Sequence, residues 1–165
     1  MIYIEPLSPR HNRRGFLCGE EALDHYLDKL ANQHSQRNIS KTFVLVDDSN
    51  PTVVIGYYSL ALCGSDVDAL PTALRKKLPS DLFGGKVGRL AVAETYQGKG
   101  YGEYLLLDAM RKFSQASQSI GMVALFVDAK NEEASHFYQK YGFERCSDDP
   151  LHLYLPTKAI ISLGL

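Results

Sequence analysis

Cysteine is scarce in this sequence and long apolar runs are missing, and both absences exclude classes of protein. Three cysteines, Cys18, Cys63 and Cys146, are scattered over 165 residues and form no C-x-x-C pair. This set disfavours a disulfide framework or a zinc site and fits reduced thiols in the cytoplasm. No stretch of about 18 apolar residues occurs, so we expect no membrane span. The first residues also lack the pattern of a secretory signal.

A strong net charge is missing as well. The formal net charge at pH 7 is -1, with 18 Lys and Arg against 19 Asp and Glu. Bulk charge therefore does not predict non-specific binding to nucleic acid. Basic side chains are nevertheless grouped at Arg10, Arg13 and Arg14 and again at 75–77, and each group is either a solvated face or a local anion-binding patch. The histidines have no metal-ligand spacing, so we expect no metal.

Repeats, low-complexity stretches and long linkers are absent, and the length is typical of one domain, 1–165. Strands and helices alternate in the second half of the chain, which predicts a layered α/β (α+β) fold with a mixed central sheet. In the first predicted helix, Leu23, Tyr26, Leu27 and Leu30 recur on one face. The predicted elements are strands at 1–5, 42–47, 52–63, 86–92, 122–128 and 151–155, and helices at 20–33, 73–78, 102–118 and 131–141. The strands at 42–47 and 52–63 are expected to form a hairpin, in which Gly56 is a candidate bulge. The last helix has Asn131 as its candidate N-cap and Gly142 as its C-terminal stop.

A glycine-rich loop, Gln97-Gly-Lys-Gly-Tyr-Gly102, separates a predicted strand from a predicted helix. Glycine permits left-handed backbone angles, and the free N–H groups of a helix N-terminus form an anion site suited to a pyrophosphate. A dinucleotide fingerprint would need its third glycine one residue later, and a P-loop would need Ser or Thr after Lys99. The pattern Q-x-x-G-x-G remains, and the loop by itself is also compatible with a tight glycine turn.

This Q-x-x-G-x-G pattern resembles the pyrophosphate loop of the GNAT acetyltransferases. The helix predicted at 131–141 ends in Phe137-Tyr138, followed by Gly142-Phe143, which is similar to the F-Y-x-x-x-G-F ending of that family. The resemblance implies a GNAT fold with helices on both sheet faces, a strand that splays from its parallel neighbour, and acetyl-CoA as cosubstrate. The implied cofactor-binding residues are Leu90, Ala91, Val92, Gln97, Gly98, Lys99, Gly100, Tyr101, Gly102 and Asn131.

Four further segments, 16–27, 42–44, 56–60 and 88–92, resemble the GNAT toxins of bacterial toxin–antitoxin modules. Members of that family acetylate the amino group of aminoacyl-tRNA and thereby block translation. The resemblance implies aminoacyl-tRNA as substrate, a ribbon-helix-helix antitoxin as partner, contact with DNA only through that antitoxin, a homodimer and a cytoplasmic location.

The chemistry of the implied reaction calls for an acid more than for a base. An α-amino group titrates near pH ~8, so much of it is already a neutral nucleophile, whereas the departing thiolate needs a proton. Tyr138 is the candidate acid, and the resemblance places the catalytic tyrosine of the family there. Without the motif, the favoured interpretation of Tyr138 would be a core aromatic residue on an amphipathic helix. The backbone N–H of Val92 is the candidate donor to the thioester oxygen.

The resemblance also implies that Arg89, Arg75, Lys76 and Lys77 bind tRNA, although Arg89 could instead pair with a surface carboxylate. Lys99 either faces the phosphates of CoA or is a solvated loop residue. Two other functions remain open. One is a GNAT acetyltransferase of a small amine or protein amino group, which the near-neutral charge favours. The other is a catalytically silent CoA-binding partner protein, against which the retained tyrosine argues.

Overall fold

The computed structural model describes residues 1–165. Seven strands form one mixed sheet in the order β1-β2-β3-β4-β5-β7-β6, which confirms the mixed α/β fold expected from the sequence. Strand β2 pairs antiparallel with both β1 and β3, and its pairing with β3 confirms the predicted hairpin. In chain order the strands are β1 (Ile2–Pro6), β2 (Lys41–Asp47), β3 (Gly56–Cys63), β4 (Gly84–Val92), β5 (Ala124–Asp128), β6 (Glu144–Arg145) and β7 (His152–Pro156).

Six α-helices and three π- or 3₁₀-helical segments accompany the strands. The helix predicted at 20–33 consists of two α-helices joined by a π-helical segment, and the first α-helix has an acidic first turn, as the helix dipole favours. The α-helices are α1 (Glu21–His25), α2 (Ala31–Gln36), α3 (Thr72–Arg75), α4 (Tyr101–Ser117), α5 (Glu132–Lys140) and α6 (Thr157–Ser162). The other helical segments are the π-helical Tyr26–Leu30 and the 3₁₀ turns Ser65–Ala69 and Glu94–Tyr96.

Several predicted boundaries differ from the observed ones for local reasons. The strand predicted at 52–63 begins at Gly56, because turn hydrogen bonds occupy the preceding backbone: Asn50 N–H donates to Asp47 and Val53 N–H to Asn50. The 3₁₀ turn at 65–69, the two-residue β6 and the C-terminal α6 were not predicted from the sequence. Each of these elements is too short for a clear periodicity.

The contacts between Cα atoms divide the chain into two compact units. The first unit comprises Met1–Ala61 and Gly88–Ala109, and the second comprises Leu62–Val87 and Met110–Leu165. In the first unit, Tyr26 and Leu27 are buried in the core, with Leu23 and Leu30 packed against it, which confirms the predicted helix face. The core of the second unit is formed by Val67, Leu70, Ala124, Phe126, Cys146 and Tyr154. None of the helices is long and apolar enough to cross a membrane.

Strand β4 continues beyond its pairing with β5. The two strands are parallel, and their register joins Gly85–Val87 to Leu125–Val127. Strand β4 then runs on to Val92, five residues past its last paired residue. A glycine is needed at the start of this strand, because a Cβ on Gly85 would lie 2.6 Å from the Phe113 ring. The first part of β4 is therefore closely packed and in register with β5, whereas its last five residues, 88–92, lie outside that register.

Candidate active site

The loop after β4 has the geometry of an anion site. Gly98 and Gly100 have φ angles of 76° and 85°, and a Cβ on either would meet no atom within 4 Å. Glycine is thus required there by backbone conformation and not by lack of space. Helix α4 follows at once, and Tyr104 N–H donates to the carbonyl of Gly100 at 3.2 Å. The N–H groups of this first helical turn have no carbonyl one turn earlier, so they and the helix dipole favour an anion.

Gln97 connects this loop to two other segments of the first unit. Its side-chain amide donates to the carbonyl oxygens of Cys18 and Val92, both at 2.9 Å. The sequence indicated Gln97 as a cofactor-binding residue, whereas in the structure both of its hydrogen bonds hold the backbone around the loop. This bracing was not predicted, because Cys18 lies 79 positions away and no local pattern connects the two residues.

The remaining loop side chains differ in exposure. Lys99 is exposed, and its Nζ lies 5.8 Å from the centroid of the Tyr96 ring. Tyr101 is half-buried and makes an edge-to-face contact with the same ring at 6.3 Å. Gly102 follows Tyr101 in the first turn of α4 and is also half-buried. The loop therefore presents an exposed lysine ammonium next to the N–H groups of the helix terminus.

The end of β4 is closely packed on one side. Ala91 is buried, whereas Leu90 and Val92 are half-buried. A Cβ on Gly56 would lie 2.9 Å from the carbonyl oxygen of Ala91, so β3 approaches β4 closely at this point. Directly after β4, Ala93 N–H donates to the Ile55 carbonyl at 2.8 Å. The sequence suggested a bulge at Gly56, and the close approach of these strands explains why the residue is glycine.

Arg89 lies on β4, and its guanidinium carbon is 3.9 Å from the centroid of the Tyr26 ring. Arg89 is half-buried, and Tyr26 is 1% exposed. The sequence left open whether Arg89 pairs with a surface carboxylate. In the structure its close contact is an aromatic ring, which interacts favourably with a cation without neutralising it. No sequence pattern indicated that Tyr26 would lie beneath Arg89.

Tyr138 lies on α5 in the second unit and is buried. Its ring makes edge-to-face contacts with Phe137 at 5.3 Å and with Phe143 at 5.8 Å. Burial, and secondarily the negative charge of Asp128, raises the pKa of the Tyr138 phenol well above its ordinary value. The phenol therefore keeps its proton at neutral pH, as a general acid must.

The two ends of α5 are formed as the sequence predicted. The side-chain oxygen of Asn131 accepts a hydrogen bond from Ala134 N–H at 2.9 Å, which confirms Asn131 as the N-cap. Gly142 has a φ angle of 98°, so it ends the helix in the left-handed conformation expected of a C-terminal glycine. Because the cap uses the Asn131 oxygen, the amide NH₂ group is the part of this side chain left for a ligand.

A chain of charged side chains in the second unit was missed by the sequence analysis. Lys86 Nζ lies 2.8 Å from Asp128 and 2.9 Å from Asp66, and His152 Nε2 lies 2.7 Å from the same Asp66 oxygen. Burial alone would raise the pKa of Asp66, but the hydrogen bonds and charges of Lys86 and His152 outweigh burial and hold this pKa below its ordinary value. His152 Nδ1 lies 3.0 Å from Asp148. Asp66 and His152 are 86 positions apart, so no local spacing predicts this chain.

The basic residues Arg75, Lys76 and Lys77, which were predicted to bind tRNA, are not equivalent. The guanidinium of Arg75 donates to the Asp68 carboxylate at 3.1 Å and to the carbonyl of Pro79 at 3.2 Å, so it holds its own loop together. Lys76 and Lys77 are exposed and carry no such bonds. The free positive charge of this segment therefore belongs to the two lysines.

Comparison with known proteins assigns the class of protein that this fold and site define. Residues 38–145 match the family model of the acetyltransferase (GNAT) domain, which is well over half of the chain. The chain therefore belongs to the GNAT acetyltransferase family and is an N-acetyltransferase by class. This membership confirms the resemblance on which the expected fold and enzyme class were based.

Within the family, the similarity is to toxins. The tRNA-acetylating toxin of Mycobacterium tuberculosis (strain ATCC 25618 / H37Rv) is 40% identical over 144 residues, which cover 87% of this chain and 84% of that protein. AtaT complexed with acetyl-methionyl-tRNAfMet has a TM-score of 0.89 at 32% identity, covering 100% of both chains. A tyrosine-to-phenylalanine mutant of the AtaT toxin, bound to the C-terminus of the antitoxin AtaR and acetyl-CoA, has a TM-score of 0.82 at 30% identity, covering 99% of this chain and 98% of that chain.

Proposed function

We propose that this chain is a toxin that transfers the acetyl group of acetyl-CoA to the α-amino group of aminoacyl-tRNA and thereby blocks translation. The observation that carries the proposal is similarity along nearly the whole chain to toxins, one named tRNA-acetylating and one solved with an acetylated aminoacyl-tRNA. The helix-terminal glycine loop supports it, because it offers the anion site that a cofactor pyrophosphate requires. In this proposal residues 1–165 act as a single acetyltransferase domain.

The cofactor is held mainly by backbone groups in this proposal. The N–H groups of Gly98–Gly102 bind the pyrophosphate, and Lys99 adds a positive charge. The amide NH₂ of Asn131 is a further donor to acetyl-CoA. The backbone of Leu90–Val92 pairs with the pantetheine arm as an added strand would. The segment of β4 beyond its register with β5 supports this last assignment.

Two groups act on the reacting atoms. The neutral amine forms a bond with the thioester carbon while the C–S bond breaks, and the backbone N–H of Val92 donates to the carbonyl oxygen as it gains charge. Tyr138 gives its phenolic proton to the departing thiolate, and the proton lost from the newly acylated nitrogen restores the phenol. A phenol is protonated at neutral pH, so Tyr138 carries the proton before each turnover.

Binding of tRNA rests on a local basic surface and not on net charge. Arg89, Lys76 and Lys77 contact phosphates in this proposal, and Arg75 contributes mainly by holding the loop that carries the two lysines. The toxin acts as a homodimer in the cytoplasm and is neutralised by a ribbon-helix-helix antitoxin, through which alone it reaches DNA. The complex of AtaT with AtaR supports an antitoxin partner.

The decisive experiment adds purified protein and acetyl-CoA to a translation extract and analyses the aminoacyl-tRNA by mass spectrometry. We expect a mass increase of one acetyl group on the aminoacyl moiety and a parallel loss of protein synthesis. A pool of small amines and peptides is offered in the same reaction, because the net charge of -1 favours a small-amine acetyltransferase as the second candidate. Acetylated small amines with unmodified aminoacyl-tRNA would replace the first candidate by the second.

A further inference from the structure

Arg89 differs from other arginines of this chain in what surrounds its charge. No carboxylate lies within salt-bridge distance of its guanidinium, which instead lies over the Tyr26 ring. A half-buried cation in this setting keeps its full charge and its N–H donors. Three other arginines are paired with carboxylates: Arg10 with Glu5, Arg75 with Asp68, and Arg145 with Glu132.

The ring beneath Arg89 is itself held in place. The hydroxyl of Tyr26 lies 2.8 Å from Ser40 Oγ and 3.1 Å from His34 Nδ1. Its ring is nearly parallel to that of Tyr57, with 6.5 Å between the centroids. Tyr26 also begins the π-helical segment Tyr26–Leu30, a rare conformation that recurs at functional sites. A buried ring fixed by two hydrogen bonds and a neighbouring ring is a rigid platform.

From this geometry we propose that Tyr26 is a positioning residue, which holds the Arg89 guanidinium ready to bind a phosphate group of the tRNA. An aromatic face stabilises the cation without accepting its N–H groups in the way that a carboxylate would. Those donors remain available for the two oxygens of a phosphate, which arginine binds in a bidentate manner. The inference rests on the proposed function, since it requires a nucleic-acid substrate.

The phosphate could in principle come from either substrate. The pyrophosphate of acetyl-CoA already has a site in the N–H groups at the start of α4, which follows β4 through the glycine loop. Arg89 lies earlier, on β4 itself, next to a platform formed by the first helical region. We therefore commit to the tRNA, and the cofactor pyrophosphate becomes an outcome that the experiment distinguishes.

The test is steady-state kinetics with aminoacyl-tRNA and with the aminoacylated 3′-terminal trinucleotide, which lacks most of the phosphates. For Tyr26→Leu we expect KM for aminoacyl-tRNA to rise about 3- to 30-fold, in keeping with the loss of one cation–π contact. KM for acetyl-CoA and for the trinucleotide should change less than about twofold. Tyr26→Phe keeps the ring, so its KM for tRNA should stay within about threefold of wild type. Arg89→Met should lower the salt slope of tRNA binding by about 1.

Two controls separate positioning from a general loss of structure. Phe16→Leu removes a ring from the same core, packed against Tyr57 and not beneath Arg89, so KM for tRNA should be unchanged. The double variant Tyr26→Leu/Arg89→Met should have the KM of Arg89→Met alone, because the ring acts only through the guanidinium. Additive effects, or a rise confined to KM for acetyl-CoA, would overturn the inference. A wild-type protein that leaves aminoacyl-tRNA unmodified would instead overturn the proposed function.

Discussion

Two sets of polar groups, one in each unit of the chain, are partnered in opposite ways. In the first unit, the guanidinium of Arg89 has an aromatic partner and no carboxylate, and the N–H groups at the start of α4 have no helical acceptor. In the second unit, Lys86 lies between Asp66 and Asp128, and Asp66 also binds His152. Donors left open can bind a ligand, whereas donors closed by carboxylates stabilise the fold.

Tyr138 is the main exception to this comparison, because it is a buried residue of the second unit to which we assign a role in the chemistry. Its substitution should have the largest effect on activity. We expect Tyr138→Phe to lower kcat about 10²- to 10⁴-fold, the usual contribution of a general acid. The melting temperature should change by only a few degrees, since the ring and its contacts with Phe137 and Phe143 remain. Release of the CoA thiol measures kcat. A variant that retains a third of the wild-type kcat would remove Tyr138 from the mechanism.

Asp66→Asn tests whether the paired charges of the second unit, Lys86 and His152 with Asp66, act mainly on stability. We expect the free energy of unfolding at pH 7 to fall by on the order of 2 kcal/mol, because Lys86 and His152 lose a charged acceptor. The pKa of Asp66 is lowered in the fold, so its contribution is present above the ordinary carboxyl pKa and is lost as pH falls through the lowered value. The pKa of Lys86 is raised, so its contribution is lost as pH rises through that raised value.

Urea unfolding at several pH values measures this contribution. The difference in the free energy of unfolding between wild type and Asp66→Asn should be largest at pH values between the lowered pKa of Asp66 and the raised pKa of Lys86. It should become smaller at pH values outside this range. Asp68→Asn is the matched control, since the Asp68 carboxylate is 75% exposed in its pair with Arg75 and such pairs contribute little. Equal destabilisation by both variants would show that the ion pairs of Asp66 contribute no more to stability than the exposed pair of Asp68 with Arg75. Neither variant should alter KM for acetyl-CoA.

Gly100→Ala tests the open donors of the first unit. Alanine at a φ angle of 85° is strained by roughly 1–2 kcal/mol, so the free loop should relax to another conformation, and the cofactor must restore the strained one when it binds. We expect the Kd of acetyl-CoA, measured by calorimetry, to rise about 5- to 30-fold. Gly121→Ala is the control, because Gly121 is exposed with equal room for a Cβ and has no left-handed backbone. An unchanged Kd for Gly100→Ala would disconnect the loop from the cofactor.

Two substitutions of Asn131 separate its effect on stability from its effect on cofactor binding, and both effects are expected to be small. Asn131→Ala removes the N-cap of α5 and should lower the free energy of unfolding by about 1 kcal/mol. Asn131→Asp keeps a capping oxygen but replaces the amide donor, so its stability should equal wild type while its Kd for acetyl-CoA rises a few-fold. Chemical unfolding and calorimetry on the same samples compare the two effects. A Kd unchanged in Asn131→Asp would leave Asn131 with a structural role alone.

Features that depend on neighbouring residues could be predicted from the sequence. The buried face of the first helical region, the cap at Asn131 and the stop at Gly142 each follow from spacing or from one residue's conformational preference. The position of the glycine loop before a helix follows in the same way. Its likeness to a known family then supplied the cofactor, which spacing alone did not.

Features that join distant segments could not be predicted. The bonds of Gln97 to Cys18, the stacking of Arg89 on Tyr26 and the sharing of Asp66 by Lys86 and His152 each depend on where the fold brings separate segments. Arg75 illustrates the same difficulty. Its sequence neighbours suggested a free cation, and only the folded loop brings the Asp68 carboxylate and two carbonyls to its guanidinium.

The bracing of the glycine loop by Gln97 has a thermodynamic consequence. A loop of this composition, left untethered, would lose backbone freedom when it closed on a ligand, at a cost of roughly 1–2 kcal/mol for each residue ordered. The two hydrogen bonds of Gln97 instead tie the loop to Val92 and Cys18 during folding. Part of the conformational entropy is thereby lost when the chain folds, which reduces the amount that each cofactor molecule must remove when it binds.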